Sequence, residues 1–326
     1  MLAGLVLAVA LQAAAASPPP VLVTPPQQIG PSVYLLPGDV PAERGPDGNT
    51  VIFRAGGGLV VVDTGRHVEH SDQILAFAHD AHRPIRAIIN THWHLDHSSG
   101  NRRIKAVFPQ ARVYTTNAVD RALVTFLARN AATARARQAA GLGSPVEIEE
   151  RHGFLDTMDH ADGLRPDVVV SRTGPMRIGG KRFEVHVTNH AVTDADVWLY
   201  DRASHIAVVG DLVTLPAPFF ETACPQEWSE ALDEVWATPF TTLVPGHGAP
   251  MTRAQFDVYR GAFNAFLVCV DSEYASTECA TNWVSDIASL EPDNARMHAD
   301  AQDYAEYYVG FLRQNGGKSA ECQLPR

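Results

Sequence analysis

The sequence has no long apolar run. Its most apolar stretch, residues 1–16 (MLAGLVLAVALQAAAA), falls short of the roughly 20 residues needed to cross a hydrocarbon core. No later segment qualifies either, so a short membrane anchor is disfavoured and no stable membrane insertion is expected after signal cleavage. Basic charge is also in short supply: 26 Lys and Arg stand against 37 Asp and Glu, for a net charge of −11. A surface that binds nucleic acid must neutralise phosphates with clustered Lys and Arg, so nucleic acid is not an expected partner. Cysteine is scarce, and the four present (Cys224, Cys269, Cys279, Cys322) contain no C-x-x-C pair, which disfavours a thiolate metal site. Phosphate loops are missing too: Gly56-Gly57-Gly58 belongs to no G-x-G-x-x-G and precedes no Lys-Ser/Thr, which argues against a nucleotide site. No internal repeat is present.

What remains is a chain of 326 residues, 45% hydrophobic, long enough for one catalytic domain of about 200–250 residues and an appendage. Residues 1–16 end in Ala14-Ala15-Ala16 before Ser17-Pro18-Pro19-Pro20, the pattern of a cleaved signal peptide. Export to the periplasm or outside the cell is therefore expected. In an oxidising compartment four cysteines suggest two disulfides. Three connectivities are possible; Cys269 with Cys279 as a local bridge would leave Cys224 to Cys322.

Along the chain, a Pro-rich leader (17–32) precedes a catalytic domain over 33–251 and a helical appendage over 252–326. NTVIFRAGGGLVVVD (49–63) reads as two strands about a glycine turn. Helical spacing over 68–82 stops at Pro84, before a buried strand at 85–89. A strand at 112–115 and a helix at about 117–140 follow. Residues 141–166 read as a polar loop or lid, and further strands fall at 167–172, 182–188, 196–200 and 205–209. From Thr252 the pattern is helical. Two packed sheets with helices outside are expected, an α+β fold with a C-terminal helical appendage.

The chemistry concentrates at His92-Trp93-His94-Leu95-Asp96-His97. Four metal-capable side chains lie within six residues. In an extended segment alternate side chains share a face, so His92 and His94 can bind one ion together, while Asp96 and His97 begin a second site. A cluster of ordinary core histidines would bury imidazoles without partners at real cost.

T-H-W-H-L-D-H with the following Gly100-Asn101 resembles the metallo-β-lactamase superfamily. Later elements fit in order: Val62-Asp63-Thr64-Gly65, His190 in N-H-A-V-T-D, Gly210-Asp211, and His247 in V-P-G-H-G. The resemblance implies an αββα sandwich and a two-metal centre. His92, His94 and His190 would hold one ion and Asp96, His97 and His247 the other, with Asp211 bridging. Nitrogen and oxygen donors without thiolate suit two Zn(II) ions, which acidify a shared water toward neutral pH. Asp96 would steer the proton to the leaving group. An exported hydrolase acting on a small ester, thioester, lactone or β-lactam follows. Asp211 places the ligand set nearer the glyoxalase II-like and lactonase-like branches than the exported β-lactamases. The rival readings are an iron-dependent persulfide oxygenase and a non-catalytic zinc-binding module. Asp194 and Asp196 are candidates to orient an imidazole, and His67 and His70 to reach the pocket rim.

Overall fold

A computed structural model describes residues 24–39, 44–291 and 295–323. The expected signal peptide and the start of the leader lie outside these. Twelve strands are present among the described residues: β1 (Gln27–Gly30), β2 (Val33–Leu36), β3 (Thr50–Ala55), β4 (Gly58–Val62), β5 (Ile85–Ile89), β6 (Arg112–Thr115), β7 (Val168–Val169), β8 (Gly174–Ile178), β9 (Lys181–Asn189), β10 (Ala195–Asp201), β11 (Ile206–Thr214) and β12 (Thr242–His247). The first seven form one sheet in sequence order, and the rest form a second in the order β12-β11-β10-β9-β8.

Period-two geometry explains the layers. In β3 and β4, Val51, Phe53, Val60 and Val62 point one way, onto Phe183, Val185, Val197, Leu199 and Val208 of the second sheet. Their neighbours Ile52, Leu59 and Val61 point the other way, onto Ile74 and Ala78 of helix Val68–Asp80 and Ile104 of helix Asn101–Val107. Strands apolar on both faces are those of a sheet covered on both sides. The outer face of the second sheet packs against four helices, Pro225–Trp236, Arg253–Val270, Ser276–Ile287 and Ala295–Gln314, in one continuous core that includes Trp198, Trp228, Phe263 and Trp283. The architecture is the expected αββα sandwich with C-terminal helices. No described helix is long and apolar enough to cross a membrane.

Two local expectations change. Within the stretch named as leader, β1 pairs antiparallel with β2. The helix expected over 117–140 breaks into Ala118–Ala122 and Phe126–Ala139. The polar stretch 141–166 is mostly helix, Pro145–Asp159, started by Pro145 and by a capping box in which Ser144 and Glu147 bind each other's backbone N–H.

Both expected disulfides are present, Cys269–Cys279 and Cys224–Cys322. The first joins helices Arg253–Val270 and Ser276–Ile287. The second fastens the end of the chain to the start of helix Pro225–Trp236.

An ionic latch holds helix Pro145–Asp159 to the body of the fold. His67 Nδ1 lies 2.7 Å from Asp47 Oδ2 and Nε2 lies 2.9 Å from Glu150 Oε1; Arg44 also binds Glu150 and faces Glu69. Burial opposes a charge on His67, but the hydrogen bonds to Asp47 and Glu150 override it and raise its pKa from 6.5 to about 9. Burial likewise disfavours the two carboxylates, yet His67 brings each to about 2. The His67 contribution is therefore complete below pH 6.5 and lost as pH rises through 9. The carboxylate contributions are complete above their ordinary values and lost as pH falls through 2. His67→Gln is expected to cost about 1–3 kcal/mol at pH 6 and clearly less at pH 9.5. Urea unfolding at the two pH values checks this; an equal loss at both would contradict it.

Candidate metal centre

Asp63, at the end of β4, has a left-handed backbone with φ of 60°, an uncommon and costly conformation for a non-glycine residue. Its carboxylate organises the loop that leaves β5. Oδ1 accepts Thr91 N–H at 2.8 Å, and Oδ2 accepts the Thr91 hydroxyl at 2.8 Å and His97 Nδ1–H at 2.9 Å.

These bonds fix which imidazole nitrogen faces the cluster. His97 donates from Nδ1 to Asp63, so Nε2 is the nitrogen that faces the cluster, carrying the proton that a metal ion would displace. The Thr91 hydroxyl gives its proton to Asp63, so it accepts from His92 Nδ1 at 3.0 Å, which turns His92 Nε2 to the cluster as well. The Thr222 hydroxyl donates to the Val192 carbonyl at 2.9 Å and so accepts from His94 Nε2 at 3.0 Å, leaving Nδ1. Outer-shell bonds of this kind set tautomer and ring orientation for metal ligation.

The remaining side chains arrive from the second sheet. Asp211 lies on β11 and His247 ends the parallel neighbour β12. Close approach requires glycine here: a Cβ on Gly246 would stand 1.9 Å from Asp211 Oδ1, and Gly210, at φ of 54°, leaves no room beside Thr91.

Six expected residues converge in two groups that could hold a metal, Asp96, His97, Asp211 and His247 in one, and His92, His94 and Asp211 in the other. Ligand atoms within each group lie within 4.8 Å of one another. His97 Nε2 is 3.1 Å from Asp211 Oδ1, and His247 Nε2 is 3.1 Å from Asp96 Oδ2. The two Nε2 atoms are 3.3 Å apart.

Burial resists charge on Asp96, His97 and Asp211, yet their mutual attraction prevails. The carboxylates of Asp211, Asp96 and Asp63 hold His97 well above the ordinary imidazole pKa. The imidazoles of His97 and His247 hold Asp96 and Asp211 below the usual carboxylate range. Burial, reinforced by His92, keeps His94 neutral.

The residues fit a divalent ion. His92 Nε2 and Asp211 Oδ1 are buried without a hydrogen-bond partner, an arrangement that is costly unless something positive or protic lies between them. Imidazole and carboxylate donors suit zinc-type coordination.

His190 does not join the cluster. It occupies a left-handed turn at φ of 59°, with its backbone N–H bonded to Asp194 O, and it belongs to neither metal-capable group. Nor do Asp194 and Asp196 orient an imidazole: Asp194 pairs with Arg121 at 3.1 Å, and Asp196 accepts Val192 N–H, Thr193 N–H and the Thr193 hydroxyl. The orienting groups are Asp63, Thr91 and Thr222. Of the two histidines after D-T-G, His67 lies in the latch and His70 is buried against Thr50 Oγ1 at 2.8 Å.

Residues 44–247 match the metallo-β-lactamase superfamily model. The chain belongs to that superfamily.

Among curated proteins, the superfamily member is 27% identical over 222 residues to a linear primary-alkylsulfatase of Pseudomonas sp. The match covers 60% of this chain and 40% of that enzyme, so the chain spans well under half the relative's length. Three solved structures show the same fold. A metallo-β-lactamase of Pontibacter korlensis has a TM-score of 0.53 at 19% identity, covering 73% of this chain and 98% of that one. The sec-alkylsulfatase Pisa1 of Pseudomonas sp. gives 0.57 at 16%, covering 90% and 51%. A metallo-β-lactamase family protein of Thermus thermophilus gives 0.58 at 16%, covering 87% and 94%.

In this superfamily member the centre opens into a cavity of about 1170 Å³. His94, Asp96, Asp211 and His247 line it together with an aromatic wall of Trp93, Phe126, Phe219 and Tyr308. The rings touch edge-on or tilted, with centroids 5.2 Å apart for His94–Phe219 and 6.0 Å for Phe219–Tyr308. Arg66 also lines it, 3.8 Å from Asp96 Oδ1. Tyr304, Tyr307 and Tyr308 come from the last long helix, so the C-terminal helices form part of the site. Only the Tyr-rich composition of the tail hinted at this contribution.

Proposed function

We propose that this chain is an exported zinc hydrolase of the metallo-β-lactamase superfamily that cleaves an ester-type bond in a small amphipathic substrate. The observation that carries the reading is the convergence of preset imidazole nitrogens and buried carboxylates, with His92 Nε2 and Asp211 Oδ1 left unpartnered, at the floor of a solvent-reaching cavity. Zinc bound by these residues, in up to two positions, would supply Lewis acidity and a water acidified toward neutral pH.

The chain's own groups do the rest. Asp96, beside His97 and His247, takes the proton of the attacking water and passes it to the leaving heteroatom. Arg66 offers a cation to an anionic group of the substrate. Trp93, Phe126, Phe219 and Tyr308 receive an apolar portion. The linear primary-alkylsulfatase adds sulfate esters to the candidates, beside carboxylic esters, thioesters, lactones and β-lactams. Two disulfides fit an oxidising compartment, in keeping with export to the periplasm. The acidic balance of the chain fits a small-molecule substrate rather than nucleic acid.

The test is a panel of alkyl sulfates, aryl esters, thioesters, lactones and nitrocefin, run on the purified protein before chelation, after chelation and after zinc is restored. Turnover that vanishes with chelator and returns with zinc is expected. No turnover of any substrate in any state would sink the reading. Thr222→Val is expected to weaken metal affinity of the His92–His94 half by about 10- to 100-fold, since Thr222 sets the His94 tautomer; competition with a chromophoric chelator measures it, and unchanged affinity would contradict the assignment.

A further inference from the structure

The two halves of the centre are unequal. Around one, Asp96, His97, Asp211 and His247 converge. Around the other stand His92 and His94, with Asp211 shared between halves. Among the described residues, no further His, Cys, Asp or Glu completes the second group.

The nearby groups do not complete it. His190 sits in its turn, outside both groups. The Thr222 hydroxyl has its proton on Val192 O and a lone pair on His94 Nε2–H. Asp196, whose buried carboxylate interacts with His92, accepts three donors from Val192 and Thr193 and belongs to neither metal-capable group. Glu221, next to Thr222 on the cavity wall, accepts from Tyr307 Oη at 3.0 Å. Val192, whose carbonyl takes the Thr222 proton, turns its side chain into the apolar core and has no donor to offer.

A catalytic zinc site has three protein ligands of its own and an open position. The first half meets that count with Asp96, His97 and His247 before Asp211 is added. The second offers two imidazoles plus a share of a carboxylate whose Oδ1 already faces His97 and His247, at 3.1 and 3.5 Å. We propose that this chain holds one ion tightly at Asp96, His97, Asp211 and His247, and a second at His92 and His94 at least about 100-fold more weakly; perturbing an outer-shell partner alone costs about 10- to 100-fold, and here a whole ligand is missing. The proposal rests on the metal-dependent reading above. Its test is scored in metal equivalents, not turnover, so the two can fail separately.

The purified full chain is loaded with zinc, dialysed against metal-free buffer and analysed by inductively coupled plasma mass spectrometry. Competition with a chromophoric chelator then gives both affinities. One retained equivalent is expected, with a second binding at least about 100-fold more weakly. His94→Ala should keep the tight equivalent and lose the weak one, whereas His247→Ala should lose the tight one. Asp96→Asn serves the same purpose if His247→Ala does not fold, as judged by circular dichroism. Two retained equivalents of similar affinity, no retained equivalent, or loss of the tight ion in His94→Ala would each overturn the proposal.

Discussion

Asp211→Asn is expected to lower turnover by at least about 1,000-fold and to weaken metal binding in both halves of the centre, while the metal-free variant keeps its fold. The carboxylate is the one group shared by both halves of the centre, with Oδ1 3.1 Å from His97 Nε2 and 3.5 Å from His247 Nε2, and Oδ2 3.6 Å from His92 Nε2. Asparagine has the same shape but no charge, and it can present an N–H where a cation should sit. Several kcal/mol of electrostatic stabilisation are then lost from both substrate activation and metal binding, and 1.36 kcal/mol corresponds to a factor of about ten in rate. The fold should survive because asparagine keeps the side chain's shape at a position whose backbone is held in the buried strand β11. Steady-state kinetics, metal analysis and circular dichroism on one preparation check the three parts; activity within tenfold of the parent would refute the shared role.

The largest stability change should come from opening the Cys224–Cys322 disulfide. It closes a loop of 98 residues, for which the chain-entropy account gives about 4.7 kcal/mol, against roughly 3 kcal/mol or less for a loop as short as that of Cys269–Cys279. At roughly 2–4 °C per kcal/mol for domains of this size class, Cys224→Ser with Cys322→Ser should melt on the order of 10 °C lower, and the Cys269→Ser, Cys279→Ser pair should melt clearly less far below the parent. The bridge also locates the end of the chain: Ser319 N–H bonds Ala223 O, and Cys224 N–H bonds Ala191 O in the turn beside the metal centre. Scanning calorimetry decides the ranking, and equal shifts for the two pairs would contradict the loop-length argument.

The sequence was most readable where ligands are neighbours in the chain. His92, His94, Asp96 and His97 share one loop, so their spacing alone announced a site, and the apolar runs at Val51–Phe53 and Val60–Val62, about a glycine turn, announced two strands of the sheet beside it. Legibility failed where three-dimensional turn geometry decides. His190 has a fitting position after β9, but it stands in a left-handed turn whose N–H bonds Asp194 O and belongs to neither metal-capable group. Thr222, about 130 residues away from His94 in the chain, orients it through a contact that no local pattern encodes. Helix Pro145–Asp159 was hidden by its charged residues, though Ser144-Pro145 and Glu147 carried a readable capping box. The tail's place on the cavity wall depends on packing of Tyr308 beneath Phe219 and Phe220, which composition alone does not reveal.

The floor and the far wall of the cavity belong to different stretches of polypeptide. Every metal-capable side chain of the centre lies at or before residue 247, whereas Tyr304, Tyr307 and Tyr308 lie on a helix held by its own core contacts, with the Cys322 bridge beyond its end. Exchanging that helix between homologues would therefore retune which molecules are admitted without touching the reacting centre, making the tail the natural place for laboratory recombination to diversify substrate choice.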